Sequence, residues 1–284
     1  MERIRCRGDN GRVRPHPASI DWLYVPGWQR SDVGGDGETA ARSTECYLIL
    51  SDEHLFSTAL MAHLNQLRID AVVVSNDAVF RQIGMGNYAV NRDRPEDFDQ
   101  LLQCLHDKKK VIAQIIHLWS LTDDQIRSAQ ESLSRNFYSL VNLVKSLEHY
   151  PAAIRAGSKV GVTIITNQLA DVTGVEVLSP DKALLYGPAK VIPQEYANLS
   201  CRIIDIELQQ LDDLPHERLI RQLVNEIQHS SRDAVVAYRG PYRWVPSYSA
   251  FHALPVSRNR FRPQGVYFIT GGFRGIGVAL ASVL

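Results

Sequence analysis

Val266-Tyr267-Phe268-Ile269-Thr270-Gly271-Gly272-Phe273-Arg274-Gly275-Ile276-Gly277 is a β-prone apolar run that breaks into closely spaced glycines, after which Val278 to Leu284 continue in helical register. A strand that runs into such a turn and then a helix gathers backbone amides and the positive helix end at one point, where a dinucleotide pyrophosphate can sit. Three of the glycines have separate jobs. Gly271 permits the tight turn, Gly275 lets the backbone approach phosphate, and Gly277 lets the helix pack close to the strand. Thr270, Gly271, Gly272, Phe273, Arg274, Gly275, Ile276 and Gly277 are therefore the candidate cofactor-binding residues.

Upstream, the chain alternates short apolar β-rich runs with helical patterns, the signature of an α/β, Rossmann-like, doubly wound parallel sheet. The strand candidates are Cys46 to Leu50, Ala71 to Ser75, Val111 to Trp119, Val160 to Thr166, Cys201 to Ile206 and Ala234 to Tyr238, with Tyr242 to Val245 as a short antiparallel edge. Between them, Phe98, Leu101, Leu102 and Leu105 mark one buried helical stripe behind Pro95, a residue suited to a first turn. A capping box, Thr122-Asp123-Asp124-Gln125, predicts the start of the longest helix, which runs through Leu133, Phe137, Leu140, Val144 and Leu147 and stops before Pro151. Leu219, Ile220, Leu223, Val224 and Ile227 mark a further amphipathic helix.

Residues 1–41 read as connecting chain containing one apolar segment, Asp21 to Trp28, expected to be extended and docked on the body of the protein. Residues 42–262 read as one domain whose first strand has no glycine turn, and 263–284 as the start of a second Rossmann unit.

Lys plus Arg equal Asp plus Glu at 31 each, so no basic field exists to hold nucleic acid. No apolar run approaches the roughly 18 residues that span a bilayer, and charged residues follow Met1, so no membrane association and a cytoplasmic location are expected. Cys6, Cys46, Cys104 and Cys201 are too scattered for a metal or redox site and read as reduced thiols, three of them in the core.

The terminal turn resembles the short-chain dehydrogenase pattern T-G-x-x-x-G-I-G. Members with a basic residue where Arg274 stands tend to prefer NADPH, so the resemblance implies that cofactor, with Arg274 facing its 2′-phosphate. Other stretches are similar to the structural subdomain of ketoreductases in type I modular polyketide synthases. Ile115-Ile116-His117-Leu118-Trp119 looks like its central strand, and Val162-Thr163-Ile164-Ile165-Thr166-Asn167 like the next. Ala183 to Tyr196 looks like the helix that follows, Cys201 to Ile206 like the fifth strand, and Asp21 to Trp28 like the segment that leads in.

The resemblance implies two related halves. The first has lost its cofactor site and braces the second, the catalytic ketoreductase subdomain of the same polypeptide, which reduces the β-keto group of an acyl chain presented by an acyl carrier protein. The Ser, Tyr and Lys that carry the reduction are expected beyond Leu284, so no catalytic residue is assigned and the chain alone is expected to be inactive. Two rival readings are a purely structural scaffold beside an inactive reductase and a fatty-acid-synthase-type reductase.

Tyr186 and Lys190 form a Y-x-x-x-K, the spacing that places a proton donor beside a pKa-lowering lysine. The strand Tyr47 to Leu50, followed by Ser51, Asp52, Glu53 and His54, offers no glycine to bring a cofactor near it, and its two carboxylates would repel phosphate. Tyr186 is expected to be a relic or a packing residue. His117 reads as a hydrogen-bonded core residue, Asp171 and Glu176 as turn-formers around Gly174, and Lys108-Lys109-Lys110 as a helix end.

Overall fold

Glu45 to Leu50 is buried at all six positions, as a strand covered on both faces must be. The computed structural model describes residues 23–32, 45–52, 55–122, 128–154, 159–208, 215–229, 233–251, 261–262 and 264–284. The connecting stretches 1–20 and 33–44, Asp21, Trp22 and Cys6 lie outside the described residues, as does most of the connector 256–264. In chain order the elements are β1 (Tyr24–Arg30), β2 (Glu45–Leu50), α1 (Leu55–Gln66), β3 (Ala71–Asn76), β4 (Arg81–Gly84), β5 (Asn87–Val90), α2 (Pro95–Asp107) and β6 (Val111–His117). Then follow α3 (Ala129–Leu133), a π-helical turn (Ser134–Tyr138), α4 (Ser139–His149), β7 (Val160–Asn167), α5 (Tyr186–Glu195), β8 (Leu199–Ile206), α6 (Pro215–Gln228), β9 (Val235–Arg239), β10 (Tyr242–Ala250) and α7 (Gly275–Ala281).

The described residues divide into two compact units, one made of those within 28–246 and one of those within 23–27 and 247–284. In the larger unit the strands follow the order β1-β10-β9-β8-β7-β6-β2-β3-β5-β4, where β1 and β10 contribute the parts that fall in that unit. Neighbours from β5 to β9 are parallel, and β4 and β10 pair antiparallel to β5 and β9. The strand order reverses between β2 and β6, which opens a crevice at their C-terminal ends.

Two apolar layers cover the sheet. On one face, Phe98, Leu101, Leu102 and Leu105 of α2 join Leu140, Leu143 and Val144 of α4 and Ala189 and Ile192 of α5 against Leu48, Ile115, Val162 and Ile203. Each fully buried leucine or phenylalanine here contributes about 1.5–3 kcal/mol. On the other, Phe56, Leu60 and Leu64 of α1 and Ile220, Leu223, Val224 and Ile227 of α6 cover Ile49, Ile116, Ile165 and Ile204. The doubly wound parallel sheet read from the sequence is the fold of the protein.

Four local expectations are corrected. β4 and β5 extend the sheet beyond β3, and Gln82 and Asn87 give that hairpin too little hydrophobic alternation to be read as strands. β10 is no edge, because β1 lies outside it. The described part of the long helix begins at Ala129, capped by Ser128, whose hydroxyl accepts from the Glu131 amide at 3.1 Å. Asp123, Asp124 and Gln125 lie outside the described residues, and Thr122 is bound at both backbone groups by the Asn167 side chain. Val266 to Ile269 forms no strand, since no described strand offers it a ladder partner. β1 is extended as expected, yet Leu23, Tyr24 and Val25 remain exposed. Among the described residues, no helix is long and apolar enough to cross a membrane.

Candidate functional site

The glycine turn lies in the smaller unit. Thr270 to Arg274 form a turn, and α7 starts at Gly275 behind an extended Arg274. Gly271 and Gly275 have φ of +71° and +49°, a region that side chains with a Cβ rarely adopt. The Arg274 amide donates to the Gly271 carbonyl at 3.3 Å, and the Gly277 amide to the Arg274 carbonyl at 3.1 Å. A Cβ on Gly277 would overlap Gly271 O and lie 2.7 Å from Gly271 C, so the helix start touches the turn backbone directly. Gly275 and Ile276 head the first turn of α7, where amides have no intrahelical acceptor. Phe273, Arg274 and Ile276 are exposed around them. The space that a Cβ on Gly277 would fill is taken by the turn's own backbone.

Among the described residues, the larger unit shows no such turn at its own switch point. Beyond β2, the Asp52 carboxylate accepts from the Asn76 amide at 3.1 Å; Glu53 and His54 lie outside the described residues. Side chains line the place instead. Arg92 follows β5 and donates from Nε to Ser134 Oγ at 3.1 Å, while Arg135 donates to the Trp119 carbonyl at 3.2 Å and to Glu131 at 3.1 Å.

His117 at the end of β6 is fully buried, and its Nε2 lies 2.9 Å from Ser139 Oγ. Because the Ser139 hydroxyl donates to the Arg135 carbonyl at 2.8 Å, Nε2 carries the ring proton. Burial, reinforced by Arg92, pushes the imidazole down to about 3, so it is neutral and serves the core as expected.

Tyr186 and Lys190 share α5, but the lysine is exposed and the phenol is shifted the wrong way for an acid. Burial, then the Asp205 charge, raises it. The lysine that the sequence reading passed over is Lys182, fully buried and donating to Asn167 Oδ1. No periodicity singles it out.

Asp171 and Glu176 form the turn around Gly174 as expected. Asp171 accepts from the Gly174 amide at 3.0 Å, and Glu176 accepts from the amides of Val172, Thr173, Gly174 and Val175. Arg239, unmarked in the sequence reading, clamps Glu176 at 2.9 Å and Asp205 at 2.6 Å. Lys108 ends α2 and reaches the Tyr88 hydroxyl at 2.7 Å, while Lys110 pairs with Asp70. Cys46 and Cys201 are buried and Cys104 packs against the core.

Residues 45–226 match the family described as "Beta-ketoacyl synthase-like, N-terminal". The chain belongs to that family. This member of the beta-ketoacyl synthase-like N-terminal family has the fold of the ketoreductase regions of modular assembly lines. A structure of the adenylation, ketoreductase and pseudo Asub domains of a keto acid-selecting NRPS module superposes with a TM-score of 0.74 at 21% identity, over 91% of this chain and 21% of that one. An N-terminal ketoreductase from the macrolactin assembly line gives 0.68 at 17% identity, over 92% of this chain and 50% of that one. The first ketoreductase of the tylosin polyketide synthase gives 0.60 at 17%, over 93% and 48%. The chain thus spans half or less of the length of these structures. No curated protein matches it.

Proposed function

We propose that this chain is the structural subdomain of a polyketide synthase ketoreductase region together with the first turn of its NADPH site. The parent module reduces the β-keto group of a carrier-protein-bound acyl chain. The observation that carries the reading is the backbone contact between Gly277 and Gly271, which only a glycine permits and which supports a phosphate site at the helix-start amides of Gly275 and Ile276. NADPH, when bound, supplies a hydride. Arg274, exposed beside the turn, supplies charge for the 2′-phosphate. The catalytic Ser, Tyr and Lys belong to the catalytic subdomain of the same polypeptide, and the large unit braces that subdomain.

The family description invites a second reading, acyl condensation through a thiol. Burial pushes the Cys46 and Cys201 thiols up to about 12, which removes both as nucleophiles. A glycine turn has no task in that chemistry.

The test joins these 284 residues to the sequence that follows them in the gene and follows NADPH oxidation with a β-ketoacyl thioester. Turnover by the joined protein, and none by the 284 residues, is expected. Turnover by the 284 residues alone, or a following sequence without a Ser and a Tyr-x-x-x-Asn or Tyr-x-x-x-Lys, overturns the proposal.

A further inference from the structure

Six buried side-chain nitrogen and oxygen atoms lack a hydrogen-bond partner among the described residues, and four of them belong to side chains that neighbour one another: Arg92 Nη1, His117 Nδ1, Trp119 Nε1 and Arg135 Nε. A buried polar atom left unpaired costs stability, so four in one place call for a common cause. The cluster sits at the C-terminal ends of β5 and β6, beside the crevice where the strand order reverses. A second irregularity coincides with it. The helix there carries the π-helical turn Ser134–Tyr138, in which the Ser139 amide reaches back to the Ser134 carbonyl; such inserted turns re-aim side chains and recur at binding sites.

Two of the unpaired atoms are guanidinium donors. The Arg92 side chain is 9% exposed, and the carboxylate it approaches among the described residues, Asp52, is 4.0 Å from Nη1, beyond hydrogen-bonding distance and held by the Asn76 amide. Arg135 meets Glu131 through Nη2, which leaves Nε free. Burial and the neighbouring Arg135 charge lower the Arg92 pKa, outweighing Asp52, Asp93 and Glu131. Arg92 is thus poorly neutralised by the carboxylates around it, while Arg135 keeps Nε unpaired beside its Glu131 ion pair. An acceptor with several oxygens and negative charge matches both.

We propose that Arg92 and Arg135 form a phosphate-binding site in the crevice of the large unit, accepting either inorganic phosphate or a small phosphate monoester. This site is separate from the glycine turn and does not rest on the reductase reading.

The test uses the full chain, labelled so that arginine Nε–H and tryptophan indole signals are observed by NMR, titrated with inorganic phosphate, glycerol 3-phosphate or chloride at constant ionic strength. Saturable shifts of the Arg92 and Arg135 signals with phosphate and not with chloride are expected. Stronger saturation by glycerol 3-phosphate assigns the monoester as the source, and equal or weaker saturation assigns free phosphate. Arg92→Lys and Arg135→Lys, each checked for folding by circular dichroism, should bind about tenfold or more weakly, the loss expected for one charge-assisted hydrogen bond. Absent shifts, shifts that chloride reproduces, or undiminished binding by folded variants overturn the proposal. If neither variant folds, the wild-type arginine signals decide alone.

Discussion

Arg239 donates from Nη2 to Asp205 Oδ2 at 2.6 Å, and Asp205 is completely buried. The carboxylate also takes the Leu169 and Ala170 amides at 3.1 and 3.2 Å, so one ion pair ties the end of β8 to the loop after β7. Removing the cation leaves a buried charge without its partner. Arg239→Met should lower unfolding free energy by about 3–5 kcal/mol in urea melts. Asp205→Asn with Arg239→Met should recover part of that loss, and no recovery would show that the loss arises elsewhere.

The same arginine makes stability acid-sensitive through Glu176. Burial opposes ionisation, but the Arg239 hydrogen bond and the turn amides outweigh it and hold the Glu176 carboxyl far below its ordinary 4.5. A carboxyl depressed on folding stabilises above its unfolded value and loses that contribution as pH falls below it. Wild type should therefore lose stability between about pH 5 and 2 more steeply than Glu176→Gln. Parallel curves from urea melts across that range would contradict the assignment.

His117 works in the same pH direction for a different reason. Burial, with Arg92 and Arg135 nearby, holds the ring down to about 3 against an ordinary 6.5. The unfolded chain binds a proton between those values and the folded chain does not, so stability is full above about 6.5 and falls as pH drops toward 3. NMR should find the His117 ring neutral with the proton on Nε2 throughout pH 5–8, and a midpoint inside that range would remove the stated burial effect.

Much of this was legible in the sequence because burial leaves a periodic trace. Phe98, Leu101, Leu102 and Leu105 repeat at helical spacing, and Cys46 to Leu50 is uniformly apolar, so α2 and β2 were readable. The glycine turn was readable because a positive φ and a close backbone contact restrict the residue type. Arg92, Arg135, Lys182 and Arg239 left no such trace. Their roles depend on partners far along the chain, such as Ser134 for Arg92 and Asp205 for Arg239, which single positions do not encode. Ser128 caps the described helix, a position that the sequence marks no more strongly than Thr122, whose box partners Asp123 to Gln125 lie outside the described residues.

Two glycines with crowded surroundings should respond differently to alanine. At Gly277 a Cβ would strike the backbone of Gly271 and Gly272, which cannot swing aside without opening the turn. At Gly161 the obstacle is the end of the Gln114 side chain, which can rotate away. In the joined protein, Gly277→Ala should weaken NADPH binding by more than about tenfold, roughly 1.4 kcal/mol or more. Gly161→Ala should stay within about 1 kcal/mol of wild type in stability. NADPH fluorescence titration and urea melts read the two effects, and reversed sensitivities would mean that the backbone contact does not form.

A proton-donating tyrosine needs a phenol shifted toward neutral pH, whereas burial and the Asp205 charge raise that of Tyr186. Lys190, four residues on, points into an exposed position and does not offset that shift. The ring does pack against the apolar layer of α2, α4 and α5. Tyr186→Phe keeps the packing and removes only the hydroxyl, so the joined protein should retain turnover within about twofold, under 0.5 kcal/mol, with unchanged stability. Tyr186→Ala should instead lower stability by about 3–5 kcal/mol through the lost ring, less if the half-buried site refills. Loss of turnover in Tyr186→Phe with folding intact would make Tyr186 a participant in the reduction and reverse its assignment as a packing residue.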